Sequence, residues 1–545
     1  MKKNVKRKKG KNKIASTKLT ILPIHRSTDP PINRSTDPPI HRSTKYPNEK
    51  MFKTLFDYNE KQTQIFLGFF VMLILAAYYF LHGCHVLYNG DDAWTVTRLY
   101  HFSKTGINMD TIFEAINTDE KVQIFNQLFN YLYSGWLNLF GWTKSNAHLL
   151  GIGIMTLAVG IWYQILKSLN FSHSLVMIFT LTMFLFPAYY GTANLVRTDP
   201  LTFMFIALCF YLFIKQNYFI SAFVGCMAIE THAMGLIAGF YIMAYVLAER
   251  KMFFGQTRLW RMAIGPLILG LILGIGYYLA MHSHVLNPER LQKTLLENRN
   301  TARHLPNYLL TYFLQTEWYL HLWEFFLILF AIIGYVVNRG WRINSLVGWL
   351  VVFMLISTFV TGRPNRVYMV FVFPAFHLML LYTAEQAGKL KMMTYVLVGI
   401  FILHYANLCR MNHSYNGEDI RVKTEVLLKD KTIPVVGMAD NWFAAKDHDF
   451  YLIYNHIHNL VDRPFERFYL VENEYLHIAP LSIKIENFLL KKGIINDALV
   501  VRRKKHYQNT ISTFKERFNC KKIGSFNAYL GQDAYVNICL KKPNN

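Results

Sequence analysis

Nine side chains combine an ionisable or hydrogen-bonding type with a place at the edge of an apolar run. Asp91 and Asp92 are adjacent in YNGDDAWTVTRLYHF, directly after a long apolar stretch. Arg197 and Asp199 fall in YYGTANLVRTDPLTF, Glu230 and His232 in AIETHAMG, and Arg363, Arg366 and Tyr368 in TGRPNRVYMV. Ionisable groups beside a bilayer are costly, so several at one depth imply mutual pairing, a water-filled cavity or a bound substrate. Each also has a purely structural use. Asp91 or Asp92 could cap a helix beginning DDAWTVTRLYHF, and Asp199 followed by Pro200 is a cap-plus-first-turn signal. The arginines could anchor to lipid headgroups, and His232 could be a satisfied polar residue at a helix junction.

The elements that must hold these residues are apolar. Of 545 residues, 52% are hydrophobic and 17% charged, where a soluble chain would carry about a quarter charged. Apolar blocks at 64–83, 146–166, 173–188, 200–215, 218–231, 234–248, 262–281, 319–337, 344–361, 367–383 and 391–407 come near the length needed to cross a bilayer. The block at 123–140, with Gln, Asn and Ser among its apolar residues, reads instead as an interfacial helix. The fold class expected is a polytopic all-α membrane protein of about eleven spans. Residues 64–407 form its transmembrane domain.

Charge sets the sidedness. The net charge of +24 is concentrated at the start: residues 1–63 hold 16 Lys/Arg against 5 Asp/Glu. A basic tail before a first span marks a cytoplasmic N-terminus and fits anionic lipid better than nucleic acid. Alternating from there, the inner loops at 167–173, 215–217, 249–261, 338–342 and 385–391 are short and mostly basic. All nine candidate residues then fall on the outer side. Within the tail, IHRSTDPP, INRSTDPP and IHRST repeat with an eight-residue period from Ile24 to Thr44, a composition that cannot bury a core. The first 50 residues are expected to be dispensable.

Residues 408–545 change character and, on the alternation, lie outside the cytoplasm. β-prone runs (TIPVVGM, DALVVRR, AYVNICL) alternate with charged stretches, which predicts a small mixed α/β domain. Six cysteines contain no CxxC; Cys84, Cys209, Cys226 and Cys409 read as packing residues, while Cys520 and Cys539 could pair if their domain is extracytoplasmic. No P-loop or dinucleotide-binding glycine pattern occurs.

The order of features resembles the GT-C glycosyltransferases, in the branch containing protein O-mannosyltransferases and lipid A aminoarabinose transferases. The resemblance rests on a long first span, the acidic DDA, an interfacial helix, the LFG turn of LNLFGWTKSNAHLL, RTDPLTF opening a later span, THAMGL as an H-x-x-G turn, and RVYMVFVFPAFHLML as an R-x-Y…P segment. It covers roughly Gln64 to Asn407. One departure is that many members carry Asp-Glu where this chain has Asp91-Asp92. The resemblance implies a sugar donor carried on polyprenyl phosphate and an acceptor that is a glycolipid, polysaccharide or protein; the Lys-, Asn- and Ile-rich character of the sequence points to a bacterial inner membrane. The resemblance also implies Asp91 or Asp92 as the base, and Arg197, Arg363 and Arg366 on the donor phosphate, which suits their bidentate fork. Asp199, Glu230, His232 and Tyr368 would position donor or acceptor. No cofactor is required, although Asp92 or Asp199 could hold a divalent metal. Two other readings stay open: a transporter of lipid-linked saccharides, and a polysaccharide polymerase or ligase using Arg290, Arg299 and Arg303 of the long outer loop.

Overall fold

The computed structural model describes residues 90–109, 126–250, 253, 257–283, 329–337, 346–361, 368–412, 417–453, 464–473, 491, 499–527 and 533–542. Outside these lie the basic tail, the first predicted span, the loop carrying Arg290, Arg299 and Arg303, Arg363 and Arg366, and the side chains of Asp91 and Asp92.

Two helices precede the helical body: α1 (Gly90–Thr105) and α2 (Gln127–Phe140). α1 is described from Gly90, and Asp91 and Asp92 lie in the first turn of that stretch, where the helix dipole favours a carboxylate. Thr95, Val96, Thr97, Arg98 and Leu99 are all buried. Five consecutive positions at 100° each go all the way round a helix, so this part of α1 is enclosed on every side. α2 buries a mixed face, Phe129, Tyr133 and Leu137 together with Gln127, Asn130 and Ser134, and exposes Tyr131, Leu132, Leu139 and Phe140. An apolar outer face fits the interfacial position expected of it.

α3 (Lys144–Ser168) opens on Thr143, whose hydroxyl accepts from Asn146 N at 3.2 Å. Its 25 residues rise about 37 Å, enough for the hydrocarbon core. The predicted span 173–188 is two helices, α4 (His173–Leu185) and α5 (Pro187–Ala193). Phe186 between them is extended because it precedes proline. α6 (Asp199–Ile214) and α7 (Tyr218–Thr231) form a hairpin. A 3-10 turn (Ala233–Leu236) then leads into α8 (Ile237–Ala248), so the predicted span at 234–248 is helical but begins in a tighter turn.

α9 (Thr257–His282) packs along α7 through a Gly270-x-x-x-Gly274 pair that was not singled out from the sequence. A Cβ at Gly270 would lie 2.3 Å from Phe219 O, and one at Gly274 2.5 Å from Cys226, so only glycine allows this approach. The other face of α9 exposes Ile268, Ile272 and Ile275, as a lipid-facing helix should. α10 (Leu346–Thr361), the deeply buried α11 (Met369–Gln386) and α12 (Leu390–Asn412) complete the body. Pro374 interrupts the α11 ladder, and the nearby carbonyl of Phe371 accepts from Tyr241 OH at 2.8 Å. Among the described residues, three helices are long and apolar enough to cross a membrane: Lys144–Ser168, Met262–His282 and Met369–Gln386. Six shorter apolar helices accompany them.

Beyond α13 (Gly417–Leu427), β1 (Val435–Gly437), β2 (Phe450–Leu452), β3 (Arg467–Asn473), α14 (Leu499–Arg517), β4 (Phe518–Asn527) and β5 (Asp533–Lys541) build a small mixed sheet of order β2-β1-β3-β5-β4. TIPVVGM and AYVNICL supply strands, but DALVVRR enters α14. There the buried spacing Tyr507, Ile511 and Phe514 imposes a helical period over the local β preference. Cys520 and Cys539 face each other across β4 and β5 and are disulfide-bonded.

Among the described residues two large hydrophobic cores result, beside a small cluster of Phe213, Tyr218, Phe253 and Ala263. One, around Trp162, Phe179, Phe210, Tyr241 and Phe371, fills the helical body. The other joins Val96 and Leu99 of α1, Tyr133 and Leu137 of α2, and Val435, Leu470 and Phe514 of the sheet region. The sheet region is therefore packed onto the helices of the first loop rather than tethered beside them.

Candidate active site

α5 ends at Ala193, and the turn that follows delivers Arg197 and Asp199 to the head of α6. Thr198, not Asp199, holds the cap position, and its side chain makes no capping bond. Asp199 is fully buried in the first turn, and its Oδ2 accepts from Arg197 Nε at 2.8 Å. The cation and the positive end of the helix together offset the cost of burying that carboxylate. Arg197 keeps 15% of its side chain exposed.

From the other side comes Tyr368, one residue ahead of α11. Its hydroxyl is 3.4 Å from Arg197 Nη2, and the guanidinium lies over its ring at 5.8 Å, within cation–π range. The ring of His232 packs 5.2 Å from that of Tyr368, and both rings lie 6.4 Å from Phe371. His232 is extended, and its Nδ1 accepts from Met234 N at 3.1 Å, which starts the 3-10 turn. A neutral ring bonded in this way carries its proton on Nε2. The turn needs Gly235: a Cβ there would lie 2.2 Å from the carbonyl carbon of Ala228. A hydrogen bond of 2.9 Å between Thr202 and Thr231 pins α6 to α7 one turn below Asp199 and one residue before His232.

Four of the nine sequence-nominated residues, Arg197, Asp199, His232 and Tyr368, thus converge from three separate stretches of chain. Glu230 does not join them. Its carboxylate Oε1 accepts from the backbone N–H of Gln127 at 2.6 Å and of Leu128 at 3.3 Å, so it caps α2. Asp91 and Asp92 open α1, which packs on α2. Among the described residues no group of three His, Cys, Asp or Glu side chains converges as a metal site.

Sequence reading passed over Lys144 and His148, both buried one turn apart at the head of α3. The same helix reaches Gly151, where a Cβ would touch Ala193 O at 2.7 Å, on the turn leading to Arg197. The signal available was a lysine and a histidine at i, i+4 opening an otherwise apolar span.

No protein-family model matches the chain, and no curated protein matches it in sequence. Among solved structures, the crystal structure of ArnT from Cupriavidus metallidurans bound to undecaprenyl phosphate matches with a TM-score of 0.50. The match covers 88% of this chain and 99% of that one, at 11% identity. The chain has the ArnT fold. The GT-C resemblance read from DDA, RTDPLTF, THAMGL and RVYMVFVFP is therefore borne out at the level of architecture. Within that architecture the four converging residues come from three of those motifs.

Proposed function

We propose that this protein transfers a sugar from a polyprenyl-phosphate carrier to an acceptor at the extracytoplasmic face of a bacterial inner membrane. The observation that carries the reading is the Arg197–Asp199–Tyr368–His232 cluster, assembled at the ends of apolar helices in a fold that holds undecaprenyl phosphate in ArnT. A lipid-borne donor brings its phosphate to the membrane surface, where an arginine held by a buried carboxylate is oriented to receive it. The Cys520–Cys539 disulfide supports an oxidising compartment for the sheet region.

In the proposed reaction, Asp91, favoured over Asp92, takes the proton from an acceptor hydroxyl or amine. The freed lone pair forms the new bond to the anomeric carbon as the bond from that carbon to the phosphate oxygen breaks. The electron pair leaves on polyprenyl phosphate, and configuration inverts. Arg197, with Arg363 and Arg366, stabilises the departing dianion, so no protonating acid is needed. His232 and Tyr368 donate hydrogen bonds to the donor headgroup, and Asp199 keeps Arg197 in register. The acceptor is a glycolipid, polysaccharide or protein of the envelope.

The test is transfer from radiolabelled polyprenyl-phosphate sugars by purified protein in lipid. Asp91→Asn should lower turnover by about 100-fold or more, and Arg197→Ala should weaken use of the donor. Full transfer by both Asp91→Asn and Asp92→Asn would remove the base assignment. Failure of the wild type to consume any donor would remove the transferase reading.

A further inference from the structure

Glu230 lies two residues from His232 yet faces a different element. α2 is capped by Asn126, whose φ of 70° is left-handed and whose side chain makes no capping bond. The first N–H groups of a helix have no partner within it. Here three successive ones are met by one residue of another helix. Asn126 N donates to Glu230 O at 3.0 Å, and Gln127 N and Leu128 N donate to Glu230 Oε1 at 2.6 and 3.3 Å. His282 Nε2, from the far end of α9, stands 3.5 Å from the same oxygen. Glu230 and His282 are both fully enclosed, at 1% and 0% exposure, so water cannot substitute for either.

This junction connects the two halves of the candidate site. In one direction the chain runs from Glu230 through Thr231 to His232, and thence to Tyr368, Arg197 and Asp199. In the other, α2 packs on α1, with Tyr131 against Phe102 at 4.9 Å between ring centres, and α1 carries Asp91 and Asp92. We infer that Glu230 is a positioning residue. It latches α2 to the His232 turn and so fixes the register between the acidic first turn of α1 and the cationic cluster. Its charge is not the requirement. What matters is an acceptor oxygen at the end of a side chain long enough to reach the amides of Gln127 and Leu128.

That distinction makes the inference testable with near-isosteric variants. Glu230→Gln keeps the length and one acceptor oxygen. Glu230→Asp keeps the charge but falls one methylene short. Positioning requires Gln to outperform Asp. In the radiolabel assay Glu230→Gln should stay within about 5-fold of wild type, while Glu230→Asp and Glu230→Ala should lose about 100-fold in turnover with little change in donor KM. Hydrogen exchange supplies a readout independent of activity. The amides of Gln127 and Leu128 should stay protected in wild type and Glu230→Gln and exchange at least about 10-fold faster in Glu230→Asp. If Asp outperforms Gln, the carboxylate acts through its charge and the inference fails. If amide protection is the same in all variants, the latch itself is absent. The activity arm rests on the transferase reading. A wild type that transfers nothing overturns that reading, while the exchange result still decides the latch.

Discussion

The two hydrophobic cores are held together by different means, and the candidate site lies beside their meeting line. Inside the helical body, apolar side chains face both the core and the outside, so burial alone gives little preference for one packing over another. Specific close approaches decide it: Gly270 and Gly274 against α7, Gly235 against Ala228, and the ion pair of Arg197 with the buried Asp199. The core shared by α1, α2 and the sheet is assembled as in a soluble domain. It has surface ion pairs such as Lys431–Asp447 and Lys541–Glu466, and a disulfide that ties the edge strand β4 to β5. Geometry within the body therefore depends on a few steric and electrostatic pins, whereas the sheet region has redundant, solvent-sensitive support.

Removing a pin should have the largest effect. Asp199→Ala leaves the Arg197 guanidinium beside a carboxylate-sized void, and loss of one partner of a buried pair costs about 3–5 kcal/mol. The thermal midpoint in detergent should fall sharply, by the same amount with or without reductant. The paired experiment on the other core is Cys520→Ser. The loop closed by this disulfide has a separation of 19 residues, for which the cost is about 3 kcal/mol. Reductant should reproduce the loss in the wild type while leaving the melting of the helical body unchanged. If reductant shifted both halves equally, the division into two differently supported cores would be wrong.

The asymmetry also explains what could be read in advance. The order of the apolar helices was legible because each is a local run of side chains, and the RTDP and THAMG turns because Pro200 and Gly235 are local punctuation. The break in 173–188 was equally local, at Phe186 before Pro187, but the run of apolar residues masked it. The role of Glu230 was not legible. Nothing near it in sequence announces that its partners are the amides of residues 126–128, about a hundred positions earlier. The cap assignment for Asp199 failed for a related reason, since its charge is claimed by Arg197 and not by the backbone of α6. DALVVRR was misread because β propensity is a local quantity, and the face presented by Tyr507, Ile511 and Phe514 only becomes visible one turn further on.

The smallest expected effect lies on the contact between α1 and the sheet region. Tyr100 OH donates to Asp447 Oδ1 at 3.1 Å, and its ring stands edge-on to Trp142 and Trp442. Lys431 also reaches Asp447, at 3.1 Å. Partial burial works to raise the Asp447 pKa, but the hydrogen bonds from Lys431 and Tyr100 and the charges of Lys431 and Lys446 outweigh it, so the net shift is downward. Burial, aided by the bond and charge of Asp447, raises the pKa of Tyr100. A depressed carboxylate stabilises the fold above its ordinary value of about 3.9 and loses that contribution as pH falls through the folded value. A raised phenol keeps its contribution below about 10 and loses it as pH rises further. Docking should therefore be flat between about pH 5 and 9 and weaken at both extremes. Tyr100→Phe keeps the ring contacts and removes the donor. It should cost about 1 kcal/mol or less, because the bond is exposed, and it should flatten the acid limb only in part, since Lys431 remains. Melting curves of wild type and Tyr100→Phe from pH 3 to 9 give the answer. An acid limb unchanged by the substitution would mean that Lys431 alone holds Asp447, and that α1 is fastened to the sheet by its apolar residues Val96 and Leu99 without help from this bond.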